Sequence, residues 1–238
     1  MKIDILAVGI HPDDVELSCS GTLLRHIDQG KTVAILDLSK GELGTRGSAE
    51  IRTEEAMEAA KILGAKERLQ LDMQDGFFTY NEENVRKIIT AIRYFQPEIV
   101  LCNAIEDRHP DHARAAKLTE DACFLSGLRR IETLDKGIIQ KEWRPKAVYH
   151  YIQDRSLKPD FVIDISDYID KKFELIMTYK SQFFDPLSIE PKTPISDKSF
   201  LESLRGKDSV YGRSINVTYA EGFTSSKLIG IDNLFDLR

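Results

Sequence analysis

The first half of this 238-residue chain alternates between two hydrophobic periods. Short apolar runs at residues 3–10, 32–38, 68–72 and 98–103 are rich in β-branched and aliphatic side chains and read as strands. Between and after them lie helical stretches at 14–29, 49–63, 81–96 and 111–126. In the third, Val85, Ile88, Ile89, Ile92 and Phe95 form an apolar face, and Pro97 stops the helix. Four β-α units in succession predict an α/β fold, a Rossmann-like doubly wound and mainly parallel sheet. In strand order 3-2-1-4, strands 1 and 4 are neighbours at the topological switch point. Ligands bind there, beyond the carboxyl ends of the strands.

Past residue 127 the pattern loosens. Residues 146–152 and 160–165 read as strands, and 168–179 and 200–211 as helices. Pro186, Pro191 and Pro194 mark an irregular stretch. No linker composition intervenes, so the expectation is one domain over residues 1–238, its irregular C-terminal third covering the site. A net charge of -6 argues against nucleic acid or an anionic membrane as the partner. No run approaches the ~20 apolar residues of a membrane span. Asp4 interrupts the first apolar run too early for a signal peptide, which points to the cytoplasm. Cys19, Cys102 and Cys123 are odd in number and far apart, so buried free thiols are expected rather than bridges.

The chemistry concentrates in two short motifs. His11-Pro12-Asp13-Asp14 follows strand 1, and His109-Pro110-Asp111-His112 follows strand 4. Together they hold three of the five histidines in the chain. The topology makes these distant motifs spatial neighbours. Imidazole and carboxylate are the ligand set of zinc and some other divalent metals. Asp13 and Asp14 are consecutive and point different ways, so one can ligate while the other faces a bound water. His109 and His112 divide in the same manner, one a ligand and one facing substrate. Three protein ligands leave a position open, as catalytic zinc requires. The composition therefore predicts a metal-dependent hydrolase with a carboxylate base.

Blander readings stand beside this one. A single His-Pro-Asp is often only a turn, and acids favour helix starts in any case. Two copies at the switch point go beyond that. His26 reads as a solvated helix residue and His150 as a satisfied core histidine. Arg52 and Glu55, three apart on a helix, read equally as a surface ion pair. Alternatively, Arg52 reaches the pocket past the glycine-bearing loop 41–47 to hold a polyhydroxyl or anionic substrate. Arg108, directly before the second motif, is a further cation at the mouth. Two His and one carboxylate also suit non-haem iron oxygenases, and a non-catalytic sugar sensor would retain the same fold.

With these residues in view, the chain resembles the LmbE-like, or PIG-L-type, zinc-dependent N-acetylglucosamine deacetylases. The resemblance rests on Gly9-Ile10-His11-Pro12-Asp13-Asp14, on Arg52-Thr53-Glu54-Glu55 and on His109 to His112, in order and spacing. Ile105-Glu106-Asp107-Arg108, Lys158 to Ser166, Ser181-Gln182-Phe183 and Tyr219 to Phe223 are similar to the N-acetylglucosaminyl-malate deacetylases of bacillithiol biosynthesis. Asp107 stands where mycothiol-pathway relatives carry tyrosine. The resemblance implies Zn2+ on His11, Asp14 and His112, with Fe2+ as an alternative occupant in the cell. It implies Asp13 as general base and His109 as general acid or oxyanion partner, oriented by Asp111. Arg52 would bind substrate, and position alone suggests Arg108 for the malate carboxylates. The implied partner is a small GlcNAc conjugate, and the implied assembly is a homo-oligomer, a hexamer in the family.

Overall fold

Strands β1 (Ile5–Gly9) and β2 (Val33–Asp37) are buried at every position, as strands covered by helices on both faces must be. A computed structural model, describing residues 1–236, shows how they are covered. Helices α1 (Asp14–Asp28), α2 (Ala49–Leu63), α3 (Glu82–Phe95) and α4 (Pro110–Leu125) alternate with β1, β2, β3 (Arg68–Gln70) and β4 (Ile99–Cys102). β1 pairs in parallel with both β2 and β4, register running Ile5 to Val33 and Ile5 to Ile99. The first four strands thus take the order 3-2-1-4 that the alternation predicts.

The apolar face of α3 is observed as expected. Ile88, Ile89, Ile92 and Phe95 are essentially solvent-free and pack with Leu6, Val8 and Val100 from one sheet face. Val15, Cys19 and Leu23 of α1 cover the other face with Ile5, Ala7 and Ile35. Each such buried aliphatic side chain contributes roughly 1.5–3 kcal/mol. Ser48 and Asn81 cap α2 and α3 through their side-chain oxygens. All three cysteines are buried and free.

The C-terminal third is more regular than its sequence suggests. After a small hairpin, β5 (Leu134–Asp135) and β6 (Ile138–Ile139), the chain adds β7 (Ala147–Tyr151) parallel to β4. Strands β8 (Phe161–Asp164) and β9 (Ala220–Thr224) then extend the sheet, with β9 antiparallel to both β7 and β8. The full order is β3-β2-β1-β4-β7-β9-β8. Helix α5 (Ile169–Ile176) is shorter than the 168–179 expected, and α6 (Lys198–Ser214) is longer than 200–211. The expected strand at 68–72 closes two residues early. β9 escapes a sequence reading because Glu221 and Gly222 interrupt its apolar pattern.

Two fully buried charge clusters brace α1, the helix that begins in the first motif. Arg68 places Nε 2.7 Å from Asp37 and Nη1 2.6 Å from Glu16, two residues past Asp14. On the far side Lys172 lies 2.7 Å from Asp208 and 2.9 Å from Glu221. The Glu221 carboxylate accepts from two amides in the middle of α1, those of Gly21 and Thr22, at 3.0 and 2.7 Å. Removing one member of such a cluster costs about 3–5 kcal/mol, because the charge left behind has no partner. Helix α1 is therefore held toward both edges of the sheet, by Arg68 and Asp37 from β3 and β2 and by Glu221 from β9.

Candidate metal centre and active site

Asp13 adopts φ 102°, a left-handed conformation that a side-chain-bearing residue takes only at a cost of about 1–3 kcal/mol. The twist lets the chain leave β1, turn through Pro12 and enter α1 with Asp13 and Asp14 facing different ways. Four bonds hold the turn. The Ile10 amide donates to Asn103 Oδ1 at 3.0 Å, and the His11 amide to Asp14 Oδ2 at 3.0 Å. Arg52 donates to the Pro12 carbonyl at 2.6 Å and to Asp13 Oδ2 at 3.2 Å. In the second motif His109 caps α4, Pro110 takes the first turn, and the Asp111 amide donates to His109 Nδ1 at 3.3 Å. That bond leaves Nε2 as the nitrogen of His109 that carries hydrogen.

The two motifs meet. The rings of His11 and His109 are 4.7 Å apart, and those of His11 and His112 5.6 Å. His112 Nε2 lies 3.2 Å from Asp14 Oδ1, and His11 Nδ1 lies 3.8 Å from Asp14 Oδ2. The outward nitrogens find carboxylates of their own. His11 Nε2 is 3.0 Å from Asp75 and 3.4 Å from Asp111, and His112 Nδ1 is 2.5 Å from Asp107. An imidazole whose one nitrogen is held by an acid presents the lone pair of the other, the arrangement typical of metal-binding histidines.

Two groups of three ligand atoms lie within 4.8 Å of one another, His11 with His109 and His112, and His11 with Asp75 and Asp111. Neither contains Asp14. We nevertheless favour Asp14 as the acidic donor, because it is the carboxylate lying against the inward nitrogens of both histidines. Asp75 and Asp111 meet only the outward nitrogen of His11. The residues fit a divalent cation.

Electrostatics agree with that fit. Burial pulls His11 down, but the hydrogen bonds it donates to Asp111 and Asp75 and the charge of Asp14 carry it up to about 9. Burial likewise opposes protonation of His112, yet Asp14 and Asp107 raise it to about 10. Burial raises Asp107 and Asp111, but their histidine partners outweigh it and hold both at about 2. The cluster thus favours positive charge between its acids. Asp13 goes the other way: burial, aided by the negative Asp14, outweighs the pull of Arg52 and raises it well above the carboxylate range. His109 is pushed down by burial and by its two histidine neighbours.

Each residue singled out in the sequence can now be placed. His11, Asp13, Asp14, Arg52, His109, Asp111, His112 and Arg108 all line one cavity of about 630 Å³. Arg52 forms no pair with Glu55, which instead accepts from Ser181 at 2.7 and 2.8 Å. Arg52 bonds instead to Asp13 and to the Pro12 and Gly41 carbonyls, a brace the sequence did not suggest, while it lines the cavity in which the expected substrate contact would form. Gly41, at φ 65°, packs where any side chain would collide with this guanidinium. Asp111 also differs from expectation: only its amide meets His109, while its carboxylate serves His11, Arg114 and the Gly76 amide. Arg108 sits at the exposed rim, 2.5 Å from Asp154. His150 is a core residue, its Nδ1 2.9 Å from the Asn103 carbonyl. His26 bonds the Thr22 carbonyl within its own helix.

Sequence reasoning missed Asp75, Asn103 and Gln153 and gave Asp107 no role. Asp75 and Asp107 lie in loops leaving the carboxyl ends of β3 and β4, where an acid is a weak but readable sign. Gln153 follows β7, in the part of the chain whose pattern had loosened, and no short-range signal marks it.

A doubly wound sheet with histidines and aspartates that could hold a cation gathered at its switch point defines the class of α/β protein. Within that class the chain belongs to the PIG-L family, whose model, described as GlcNAc-PI de-N-acetylase, matches residues 6–123. It is 32% identical over 189 residues to diacetylchitobiose deacetylase from Thermococcus kodakarensis, covering 75% of this chain and 70% of that one. It is 26% identical over 237 residues to 4-oxalmesaconate hydratase from Pseudomonas putida, covering 92% and 88%. A conserved protein from Thermus thermophilus superposes with a TM-score of 0.84 at 33% identity, covering 97% and 98%. No described helix is long and apolar enough to cross a membrane.

Proposed function

We propose that the protein is a metal-dependent amide hydrolase that removes the N-acetyl group of a GlcNAc conjugate. The observation that carries this reading is the placement of Asp13 and His109 beside the His11–Asp14–His112 donor set within one cavity. Zinc is the proposed ion and iron(II) the alternative, held by His11, Asp14 and His112. When bound, such an ion supplies Lewis acidity, polarising an amide carbonyl and acidifying water.

The remaining work falls to side chains. Asp13 accepts the proton of the attacking water, its affinity for that proton raised by burial. His109, with Nε2 bearing hydrogen, donates a hydrogen bond to the developing oxyanion, and the proton that Asp13 has taken from water passes to the departing amine. Arg52 keeps Asp13 aimed and the turn closed. Arg108, at the rim and paired with Asp154, would exchange that partner for an acidic aglycone, a reading that favours GlcNAc-malate as substrate and the cytoplasmic route to bacillithiol as context.

Two other substrates have specific support. The archaeal relative is named for diacetylchitobiose, so a neutral chitooligosaccharide is a second candidate. The bacterial hydratase relative covers nearly the whole chain, and an acid-base pair beside a cation site also suits addition of water to a double bond. The deciding experiment supplies chelated protein with zinc or iron(II) and measures amine release from GlcNAc-malate, diacetylchitobiose and GlcNAc. Metal-dependent release strongest with the malate conjugate supports the proposal. Release from the disaccharide alone moves the substrate to the second candidate. No amine from any of the three, with hydration of an unsaturated dicarboxylate, replaces the reaction.

A further inference from the structure

Two amide side chains close on Asp14 from the ends of neighbouring strands. Asn103, just past β4, donates from Nδ2 to Asp14 Oδ2 at 2.9 Å. Gln153, just past β7, donates from Nε2 to Asp14 Oδ1 at 2.9 Å. Both are buried, Asn103 completely. Their orientation is fixed by what their oxygens do. Asn103 Oδ1 accepts from the Ile10 amide at 3.0 Å. Gln153 Oε1 accepts from Asn103 Nδ2 at 3.0 Å and from the Ala104 amide at 3.1 Å. With each oxygen facing donors, each nitrogen is left to face the carboxylate. The main chain of Gln153 is pinned in turn, since Lys207 of α6 donates to its carbonyl at 2.5 Å.

A carboxylate offers two lone pairs on each oxygen. Oδ2 of Asp14 directs both at N–H donors, the His11 amide and Asn103. Oδ1 directs one at Gln153 and keeps the other, on the side where His112 Nε2 lies 3.2 Å away. We propose that Asn103 and Gln153 are positioning residues, an amide clamp that makes Asp14 present a single oxygen, Oδ1, to the metal. The clamp prevents the carboxylate from turning to chelate with both oxygens, and so keeps a coordination position open for water and substrate. It rests on the reading that His11, Asp14 and His112 hold a divalent cation, and not on which substrate is cleaved.

The test uses cobalt(II), whose visible bands report coordination number, with the full chain, its Gln153→Met variant and its Asn103→Leu variant. Cobalt affinity is measured by competition with a chromophoric chelator. The variants are expected to lose about 10- to 100-fold in affinity, as removal of groups supporting metal ligands generally does. Their visible bands are expected to weaken as the second Asp14 oxygen joins the ion. Affinity and spectra equal to those of the unmodified protein overturn the clamp while leaving the metal reading intact. No cobalt binding by the unmodified protein overturns both. Should either variant not fold, a crystal structure of the metal-loaded unmodified protein decides: one Asp14 oxygen at bonding distance supports the clamp, and two overturn it.

Discussion

The guanidinium of Arg52 spans 40 residues of sequence to reach the turn that carries the proposed base, 3.2 Å from Asp13 Oδ2 and 2.6 Å from the Pro12 carbonyl. The same group holds the Gly41 carbonyl at 3.1 Å, so it joins the glycine-bearing loop to the strained residue at the start of α1. Replacing it by lysine keeps the charge but leaves one point donor where a planar fork serves three acceptors. Arg52→Lys is expected to lower kcat at least about tenfold, and to lower stability by about 2 kcal/mol through the unpaired carbonyls. Turnover and urea unfolding of the same preparation check the two halves together. Normal kcat with reduced stability would show that Arg52 serves the fold alone.

Asp13→Asn removes the proton acceptor while keeping the shape of the side chain. Turnover is expected to fall about 100- to 10,000-fold, the span typical of a lost general base. Metal content by elemental analysis should stay at the unmodified level. Loss of metal in this variant would exchange the roles of Asp13 and Asp14.

How much of this site was legible in the sequence depends on the range of each interaction. His11, Asp14, His109 and His112 sit in contiguous motifs, and the β-α alternation brings those motifs together through topology alone. Asp13 and Asp14 could be seen to diverge, but the backbone twist that separates them could not. The role of Arg52 as a brace, the acids behind the histidines and the amides around Asp14 all arise from loops that meet only in three dimensions. The same applies to the fold. β1 through β4 follow from periodicity, whereas β9 is a short antiparallel insertion between β7 and β8, carrying a buried glutamate that no strand pattern anticipates.

Asp107 supports His112 from behind, with 2.5 Å between Oδ2 and Nδ1, and its other oxygen accepts from the Arg155 amide at 2.7 Å. Asp107→Asn keeps the volume and weakens the hold on the ring. Metal affinity is expected to fall about 10- to 100-fold, with much of the kcat recovered at saturating metal. Titration of activity against free zinc in a metal buffer checks it, and an unshifted curve would show that His112 needs no such support.

Lys207 yields a prediction with a defined sign. Its burial lowers the ammonium from an ordinary 10.5 to about 8. Below pH 8 the folded and unfolded chains both hold the proton, and folding carries the full cost of the buried charge. Between about 8 and 10.5 the unfolded chain binds more protons, so this residue makes stability rise with pH, by at most roughly 3 kcal/mol. Urea unfolding at pH 7.5 and at pH 10 should show the rise in the unmodified protein relative to Lys207→Met. Parallel pH dependences in the two proteins would refute it.

The motifs that define the family end by residue 123, yet the helix carrying the first of them leans on Glu221, nearly a hundred residues later. Cut after α4, the chain would keep every proposed metal ligand and the proposed base. It would nonetheless leave two mid-helix amides of α1 without that carboxylate. This architecture does not divide into a portable catalytic half and a dispensable cover. Grafts, split reporters and minimised variants should therefore carry β9 along with the motifs, because the last strand of the sheet helps to fold its first helix.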